Sequence, residues 1–333
     1  MGESQAGAGP IQVAVTGANG FLGALICKSL VTSGIKARAL IRRNLKIAEA
    51  SETVQADYAN LDSLMTAIRG CEVLVHCAGG GKSPYRAEIF NANLESTRAL
   101  LEAVQSLAPE DRPKHFLLIS SVAATGGHCD RPTEETLAKC TAASDYGQSK
   151  WQAEKLFLAS DIPGLRKSIL RLPALYGIGD ARLFLLLKGA VRGTIPIPHA
   201  QQKLSLLDAE DAANAVTAMV QKANALPNPF ITYAEEGKSY TFREITRAIA
   251  DELNPKARFI EPPRWVLKTI AGAGEAGARL FGIKPDLTFD KLRDLFVPAY
   301  VCDSSELQSK TGWRPKHQLR QRIRAIFESM PKN

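Results

Sequence analysis

The chain alternates short apolar runs with helical patterns over its first 175 residues. The runs are rich in Val, Ile and Leu without polar alternation, which is typical of parallel strands that are covered on both faces. Runs that alternate with helices predict βαβ units around one parallel sheet. The predicted strands are Ile11–Thr16, Ala37–Ile41, Thr53–Ala56, Val73–His76, His115–Ser120 and Ser168–Leu172. Helices are predicted between them near 21–33, 61–69, 88–107 and 144–160.

Beyond Tyr176 the hydrophobic pattern is less regular. Thr241 and Glu244 have capping-box spacing, which supports a helix that begins there. Helices are predicted near 182–192, 208–223, 241–253, 264–281 and 316–328. We therefore expect an α/β protein, with a doubly wound parallel sheet of the Rossmann type and a smaller, mostly helical lobe at its C-terminal end.

Composition supports a globular chain and limits its partners. Of 333 residues, 45% are hydrophobic and 23% are charged, which excludes a disordered or fibrous protein. The net charge of +8 is concentrated between Lys310 and Asn333, where seven Lys and Arg residues stand against Glu328 alone. We interpret this tail as the solvated face of a terminal helix. No nucleic-acid motif or aromatic-interleaved basic patch accompanies it, so nucleic acid is not an expected partner.

The sequence contains no run of about 18 apolar residues of the kind that crosses a membrane. Its first ten residues lack the basic and apolar regions of a secretory signal. Six cysteines are scattered without a CxxC pair, which predicts neither a disulfide framework nor a metal site. We therefore expect a cytoplasmic protein with reduced thiols and no metal.

A glycine-rich turn follows the first predicted strand and leads into the first helix. Its spacing is Gly17-Ala-Asn-Gly20-Phe-Leu-Gly23. Glycines let a chain turn tightly and let its backbone approach a pyrophosphate, while the helix start offers N–H groups to the phosphates. The order of strand, turn and helix therefore predicts a dinucleotide site. Its predicted contacts are Gly17, Asn19, Gly20, Phe21, Leu22 and Gly23.

The end of the second strand indicates which dinucleotide binds. In an NAD site an acidic residue about 20 positions past the glycines holds the ribose 2′-hydroxyl. Here the strand ends in Arg42 and Arg43, with no acid at 40–43. A guanidinium can hold a 2′-phosphate through charge-assisted hydrogen bonds. We favour NADP(H), and NAD(H) stays open if these arginines are only surface charges.

Three residues are candidates for the reacting groups. Tyr146 and Lys150 are four apart on a predicted helix and share one face. A tyrosine has a pKa of about 10, and a nearby lysine cation favours its phenolate, so the phenol can exchange a proton with a substrate oxygen. Ser121 ends the fifth strand, where a hydroxyl can donate to that oxygen. Ser120 is given a supporting role, and the reverse assignment of the two serines stays open.

The GxxGxxG turn, the SSxxxxG segment at Ser120 and the YxxxK motif together resemble the extended short-chain dehydrogenases/reductases, the NAD-dependent epimerase/dehydratase superfamily. The resemblance implies an adenine contact after the third strand, a turn beside the cofactor after the fourth, a helix asparagine that orders the site, and a backbone contact near the nicotinamide. The corresponding residues are Asp57 and Tyr58, Cys77, Ala78 and Gly79, Asn93, and Pro173. For His76 a structural role is favoured over a catalytic one, and for Asn93 a solvated helix position is an equal alternative.

The stretch Glu261–Thr288 resembles the 3β-hydroxysteroid and sterol dehydrogenase branch, with the related β-keto-acid reductases. That branch implies hydride transfer between NADP(H) and a hydroxyl or ketone of a hydrophobic substrate. A nucleotide-sugar epimerase or dehydratase is the second hypothesis, although the arginine-ended strand argues against it. A non-catalytic NADP(H)-binding protein is the third, although such proteins typically lose the tyrosine or lysine.

The expected domains follow from these motifs. Residues 11–176, with 205–233 returning to them, are predicted to form the NADP-binding domain, and 177–204 with 234–330 the substrate-binding lobe. Family resemblance implies a homodimer through the helices near 88–107 and 144–160. A lipid substrate would allow peripheral membrane contact.

Overall fold

The computed structural model describes residues 12–330 except for 44, 81–82, 128–141, 283–284 and 286. Ile11, predicted to start the first strand, lies outside the described residues. In chain order the strands are β1 (Gln12–Thr16), β2 (Lys36–Ile41), β3 (Glu52–Gln55), β4 (Val73–His76), β5 (His115–Ser121), β6 (Arg166–Leu172), β7 (Ala174–Tyr176), β8 (Thr194–Pro196), β9 (Lys203–Asp208), β10 (Phe230–Tyr233), β11 (Ser239–Thr241), β12 (Arg258–Ile260) and β13 (Ala299–Tyr300).

The α-helices are α1 (Phe21–Thr32), α2 (Leu61–Ile68), α3 (Arg86–Phe90), α4 (Ser96–Ser106), α5 (Asp145–Ala159), α6 (Ala181–Val191), α7 (Ala209–Gln221), α8 (Phe242–Leu253), α9 (Arg264–Phe281), α10 (Phe289–Leu295), α11 (Ser305–Thr311) and α12 (Leu319–Glu328). A π-helical turn, Asn91–Glu95, joins α3 to α4, and a 3₁₀ turn, Val122–Thr125, follows β5. Another 3₁₀ turn spans Pro109–Asp111. The helix predicted near 88–107 is thus three segments.

Seven parallel strands form the central sheet in the order β10-β6-β5-β4-β1-β2-β3. The strand order reverses between β1 and β4, and ligands of such sheets bind at the carboxyl ends of the strands beside that reversal. All six strands predicted from apolar runs lie in this sheet. The expected Rossmann-type doubly wound fold is therefore confirmed.

Both faces of the sheet are buried, which explains the apolar runs. On β1 the side chains of Val13 and Val15 join a core with α1 and α7, whereas Ala14 joins the opposite core with α2, α4 and α5. Trp313 also packs in the first core, so the C-terminal segment reaches the sheet domain. Inside the domain Arg171 and Glu154 form a fully buried ion pair, with a Nη2–Oε2 distance of 2.8 Å.

The remaining elements form smaller layers at the carboxyl end of the sheet. β9 pairs with β7, β11 and β13, and β8 pairs with β12. A third core lies among α6, α8 and α12, and a fourth joins α9 to α10. The part of the chain that the structure describes has no helix long and apolar enough to cross a membrane.

The basic C-terminal helix has partners for three of its arginines. Arg322 binds Asp208 with an Nε–Oδ2 distance of 2.9 Å, and Arg324 binds Glu252 with an Nε–Oε1 distance of 2.7 Å. Arg320 pairs with Asp251. The charges of these three arginines are therefore balanced by carboxylates of α8 and of the residue before α7.

Candidate active site

The glycine turn after β1 is too tight for side chains. Gly17 has a φ of +68°, and a Cβ at this position would lie 2.8 Å from the Ala78 backbone. A Cβ at Gly23 would lie 2.1 Å from the Gly17 carbonyl oxygen. α1 starts after Gly20 with no side-chain cap and no acid in its first turn. These features leave a backbone cradle and a helix start that fit a pyrophosphate.

The other predicted residues of this turn lie around the same cradle. Asn19 and Gly20 are exposed, while Phe21 and Leu22 are half-buried at the first turn of α1. The aromatic ring of Phe21 also faces the Gly177 backbone, where an added Cβ would meet it at 3.5 Å. The cradle is therefore closed on one side by the segment that follows β7.

A buried histidine ties the two strands beside the reversal point. The Thr16 hydroxyl lies 2.7 Å from His76 Nδ1 and accepts from the Ala78 backbone N–H at 3.1 Å. Ser96 Oγ lies 3.3 Å from His76 Nε2. Burial lowers the pKa of His76 to about 3, so the ring is neutral at physiological pH. These contacts give His76 a structural role, and burial likewise raises the pKa of Cys77 to about 11.

The predicted adenine and phosphate contacts lie at the carboxyl ends of β2 and β3. Arg42 and Arg43 are both exposed directly after β2. Asp57 is exposed after β3, and its Oδ1 accepts from the Ala59 N–H at 3.0 Å. Tyr58 is turned inward, and burial raises its pKa to about 12. Because β2 and β3 are neighbours, both arginines and Asp57 face the same edge of the sheet.

Asn93 lies in the π-helical turn and joins two parts of the site. Its Nδ2 donates to the Gly80 carbonyl oxygen at 2.8 Å and to Ser149 Oγ at 2.9 Å, and its Oδ1 accepts from the Gly80 N–H at 3.1 Å. π turns of this kind are frequent at functional sites. The side chain is 1% exposed. The alternative of a solvated helix position is therefore wrong.

Lys150 is a buried ammonium beside this junction. Its Nζ donates to the Ile119 carbonyl oxygen at 3.0 Å. A Cβ at Gly79 would lie 3.0 Å from that Nζ and 2.6 Å from Asn93 Oδ1, so the backbone after β4 passes closely over both side chains. Burial lowers the pKa of Lys150 to about 8. A charged group held in such a place against its desolvation cost is characteristic of a functional site.

The elements that carry Ser121 and Tyr146 pack closely against each other. A Cβ at Gly147 would lie 2.6 Å from the Ala123 carbonyl oxygen, so the first turn of α5 sits against the 3₁₀ turn after β5. Ser121 caps that 3₁₀ turn by accepting from the Ala123 N–H at 3.2 Å, and it is half-buried. Ser120 is buried, and its hydroxyl has no hydrogen-bond partner among the residues that the structure describes. This difference in exposure supports Ser121 as the serine that can reach a substrate.

Two further predicted positions complete the description. Tyr146 is half-buried one turn before Lys150 on α5. Pro173 is buried between β6 and β7, at the carboxyl end of the sheet. The structure thus gathers the glycine turn, Asn93, Ser121, Tyr146 and Lys150 around the crevice between β1 and β4, while the two arginines lie further out along β2.

Sequence reasoning missed one carboxylate that contacts the start of α5. Asp290, on α10, accepts from the N–H of Asp145 at 2.5 Å and of Tyr146 at 3.3 Å. Burial raises the pKa of Asp290 and raises that of Asp294, one turn later, to about 6. Asp294 accepts from the Tyr300 hydroxyl at 2.7 Å. α10 has only seven residues, which is too short for a clear helical period, and no local signal could have located this contact.

Proteins with similar sequences and structures share this chain's fold. Residues 13–232 match the NAD dependent epimerase/dehydratase family. The ceramide reductase of Caulobacter vibrioides is 28% identical over 308 residues, which cover 89% of this chain and 87% of that protein. The sterol-4-alpha-carboxylate 3-dehydrogenase, decarboxylating, of Dictyostelium discoideum is 26% identical over 70% of this chain and 73% of that protein. The solved structure of MoeE5 in complex with UDP-glucuronic acid and NAD has a TM-score of 0.72 at 21% identity, covering 96% of this chain and 98% of that one, and shows the shared fold.

Proposed function

Because this chain belongs to the NAD-dependent epimerase/dehydratase family, as its motifs predicted, we propose that it is an NADP(H)-dependent oxidoreductase acting on a hydroxyl or ketone of an apolar substrate. The observation that carries the proposal is the buried ammonium of Lys150. It lies one turn after Tyr146 and against the backbone that follows β4. A lysine in this place has no structural requirement for its charge, whereas a tyrosine acid–base group does require it.

The chain's own residues divide the chemistry among them. Ser121 holds the substrate oxygen through its hydroxyl and stabilises charge that develops there. Tyr146 passes a proton to or from that oxygen, and the Lys150 cation favours the phenolate that this transfer requires. Asn93 fixes the loop over Lys150 and the first turns of α5. A nicotinamide dinucleotide supplies or accepts the hydride when bound.

The cofactor cradle favours a phosphorylated ribose. Gly17, Gly20 and Gly23 fit a pyrophosphate site because a Cβ at any of them would crowd the backbone of this turn, which must be tight for its N–H groups to approach phosphates. Arg42 and Arg43 are exposed at the end of β2, where a 2′-phosphate would find two guanidinium groups. Asp57 lies at the same edge and suits an adenine contact. These positions support NADP(H) over NAD(H).

The arginine argument is tested by cofactor binding. In the double variant Arg42→Ala/Arg43→Ala we expect NADPH to bind roughly a hundredfold to ten-thousandfold more weakly and NADH to change little, since each of the two charge-assisted contacts contributes about 1.5–3 kcal/mol. Lys36→Ala removes an exposed charge at the opposite end of β2 and is the matched control. Tighter binding of NADH than NADPH by the unaltered protein would refute the preference.

The proton-transfer role is tested by turnover on a confirmed substrate. Tyr146→Phe should lower kcat by roughly a hundredfold to ten-thousandfold while NADPH affinity is retained. Ser121→Ala should lower kcat in the same direction, whereas Ser120→Ala should leave it nearly unchanged. Full turnover by the phenylalanine variant contradicts the mechanism, and a larger loss at Ser120 than at Ser121 reverses the serine assignment.

An apolar substrate is supported by the relatives and by the lobe. The two relatives described above are named for ceramide and sterol chemistry. We propose that residues 177–204 and 234–330 supply the substrate contacts. Ceramides with a 3-keto group, sterols, β-keto acids and nucleotide sugars should be screened with NADPH and NADP⁺ while nicotinamide absorbance is followed. Conversion of a nucleotide sugar without a net absorbance change would favour the epimerase hypothesis instead.

A further inference from the structure

Helix α9 is apolar on two opposite sides. On one side Leu267 and Ala271 pack against Leu292 of α10. On the other, large apolar side chains face outward: Trp265 is 69% exposed, Leu280 74% and Phe281 75%. Surface helices of globular proteins normally turn their polar side outward. The outer face of α9, defined here as Trp265, Thr269, Ile270, Ala273, Ala276, Leu280 and Phe281, departs from that rule, since apart from the indole N–H of Trp265 the hydroxyl of Thr269 is its one polar side-chain group and donates to the Trp265 carbonyl oxygen.

The charges of α9 lie together along one edge. With 3.6 residues per turn, Arg264, Lys268, Glu275 and Arg279 form a single row beside the outer face, which itself carries no charge. Glu275 is engaged by the Phe289 N–H at 2.8 Å, and Arg264 lies 4.4 Å over the Phe296 ring. Lys268 and Arg279 make no ion pair with any residue that the structure describes. The row therefore presents two uncompensated cations at the border of an apolar surface.

We propose that the outer face of α9 docks on an anionic lipid bilayer. Its apolar side chains would enter the interfacial layer, where a tryptophan is a favourable anchor. Lys268 and Arg279 would extend their stems along the surface and place their charges among acidic headgroups. A second copy of this chain fits the same face less well, because the only carboxylate in the row is already engaged and offers no anion to the two cations.

Docking at this face would bring the reactive end of the fold close to the lipid. α10 packs on the inner side of α9 through Leu292 and reaches the start of α5 through Asp290. The bilayer, α9, α10 and the Tyr146 helix would then be successive layers. If the substrate is apolar, which rests on the function proposed above, it could enter the lobe from the bilayer with little exposure to water.

Vesicle co-sedimentation tests the docking without any turnover. The full chain should sediment with phosphatidylcholine vesicles that contain phosphatidylglycerol and much less with phosphatidylcholine alone. Leu280→Ser/Phe281→Ser should lower partitioning at least roughly tenfold, because each apolar side chain contributes about that factor. Lys268→Glu/Arg279→Glu should remove the preference for the acidic lipid, since each basic residue contributes roughly fivefold.

Matched controls separate this surface from general effects. Leu185→Ser removes an apolar side chain that is 57% exposed on α6, and Lys222→Glu/Lys256→Glu reverses two exposed charges elsewhere. Both should sediment like the unaltered protein, and NADPH binding should be unchanged in every variant, which shows that each is folded. Absence of binding by the unaltered chain, or equal binding by all variants, overturns the proposal.

The oligomeric state distinguishes the remaining occupant. If the unaltered chain does not sediment with vesicles and Leu280→Ser/Phe281→Ser converts a dimer into a monomer, a second copy covers the outer face of α9. The lipid-docking proposal is then wrong. The proposed hydride transfer is decided separately, by turnover of a soluble substrate without vesicles. Failure of the docking proposal therefore does not refute the proposed hydride transfer, and failure of the hydride transfer does not refute the docking.

Discussion

Replacing Lys150 by methionine should make the protein more stable and inactive at the same time. The ammonium is buried, and its pKa falls from 10.5 to about 8 because of desolvation. That difference corresponds to about 3 kcal/mol against the charged form in the folded protein at neutral pH. Methionine has a similar length without the charge. It cannot make the hydrogen bond to the Ile119 carbonyl oxygen, and this loss lowers the free energy of unfolding by about 1 kcal/mol. The net expectation is a gain of about 2 kcal/mol in the free energy of unfolding.

The stability gained in Lys150→Met should depend on pH in a definite direction. In the unfolded chain Lys150 keeps its proton up to pH 10.5, whereas in the folded protein it loses the proton from about pH 8. The unfolded state therefore binds more protons between these values, and the unaltered protein gains stability over that window. The advantage of Lys150→Met should be complete below pH 8 and should shrink as the pH rises toward 10.5.

Urea unfolding of the cofactor-free proteins at matched pH values measures both effects. Lys155→Met makes the same substitution at an exposed position of α5 and should change the free energy of unfolding by no more than about 0.5 kcal/mol. If Lys150→Met is less stable than the unaltered protein at pH 7, or if its advantage does not depend on pH, the desolvation argument is refuted. Turnover with a confirmed substrate should be lost in Lys150→Met and kept in Lys155→Met.

Three further substitutions test separate contacts. Asp290→Ala removes the acceptor of the Tyr146 N–H, so kcat should fall while NADPH affinity is kept, and an unchanged kcat in steady-state assays would contradict this. Gly23→Ala should lower the free energy of unfolding in urea by about 3 kcal/mol, because its Cβ would lie 2.1 Å from a backbone oxygen. Its control, Gly277→Ala, has open space around the added Cβ and should raise that free energy by about 0.5–1 kcal/mol. Glu154→Ala leaves a buried guanidinium without its anion and should cost about 3–5 kcal/mol, measured as a fall in urea midpoint.

The central sheet could be predicted because its signal is local. A strand covered on both faces favours an apolar run, which Val73–His76 shows most clearly, whereas Arg38 and Gln55 interrupt the runs of β2 and β3 toward the edge of the sheet. β6 begins at Arg166, two residues before the prediction, because the Arg166 and Lys167 side chains reach backbone carbonyl oxygens outside the sheet. The glycine turn was equally visible, since its close approaches require glycine at each position.

The small strands and short helices of the C-terminal half gave no comparable signal. β7, β8, β11 and β12 each have three residues, and β13 has two, which is too few for an alternation to be recognised. The π turn around Asn93 could not be distinguished from continuous helix, since a single inserted position leaves the apolar spacing almost unchanged. What these elements share is that tertiary contacts, and not local periodicity, decide their conformation.

The contact of Asp290 with the start of α5 shows why elements that depend on tertiary contacts matter for function. The two segments are 145 residues apart in sequence, yet one carboxylate side chain joins them. The residues proposed for hydride chemistry, Ser121, Tyr146 and Lys150, lie on β5 and α5. Asp290 of α10, by contrast, contacts Tyr146 through the backbone N–H of that residue. Because this contact is made to backbone N–H groups, it constrains where α5 begins and does not depend on the Tyr146 side chain. A change in α10 should therefore alter kcat through Tyr146 even when every motif residue is intact.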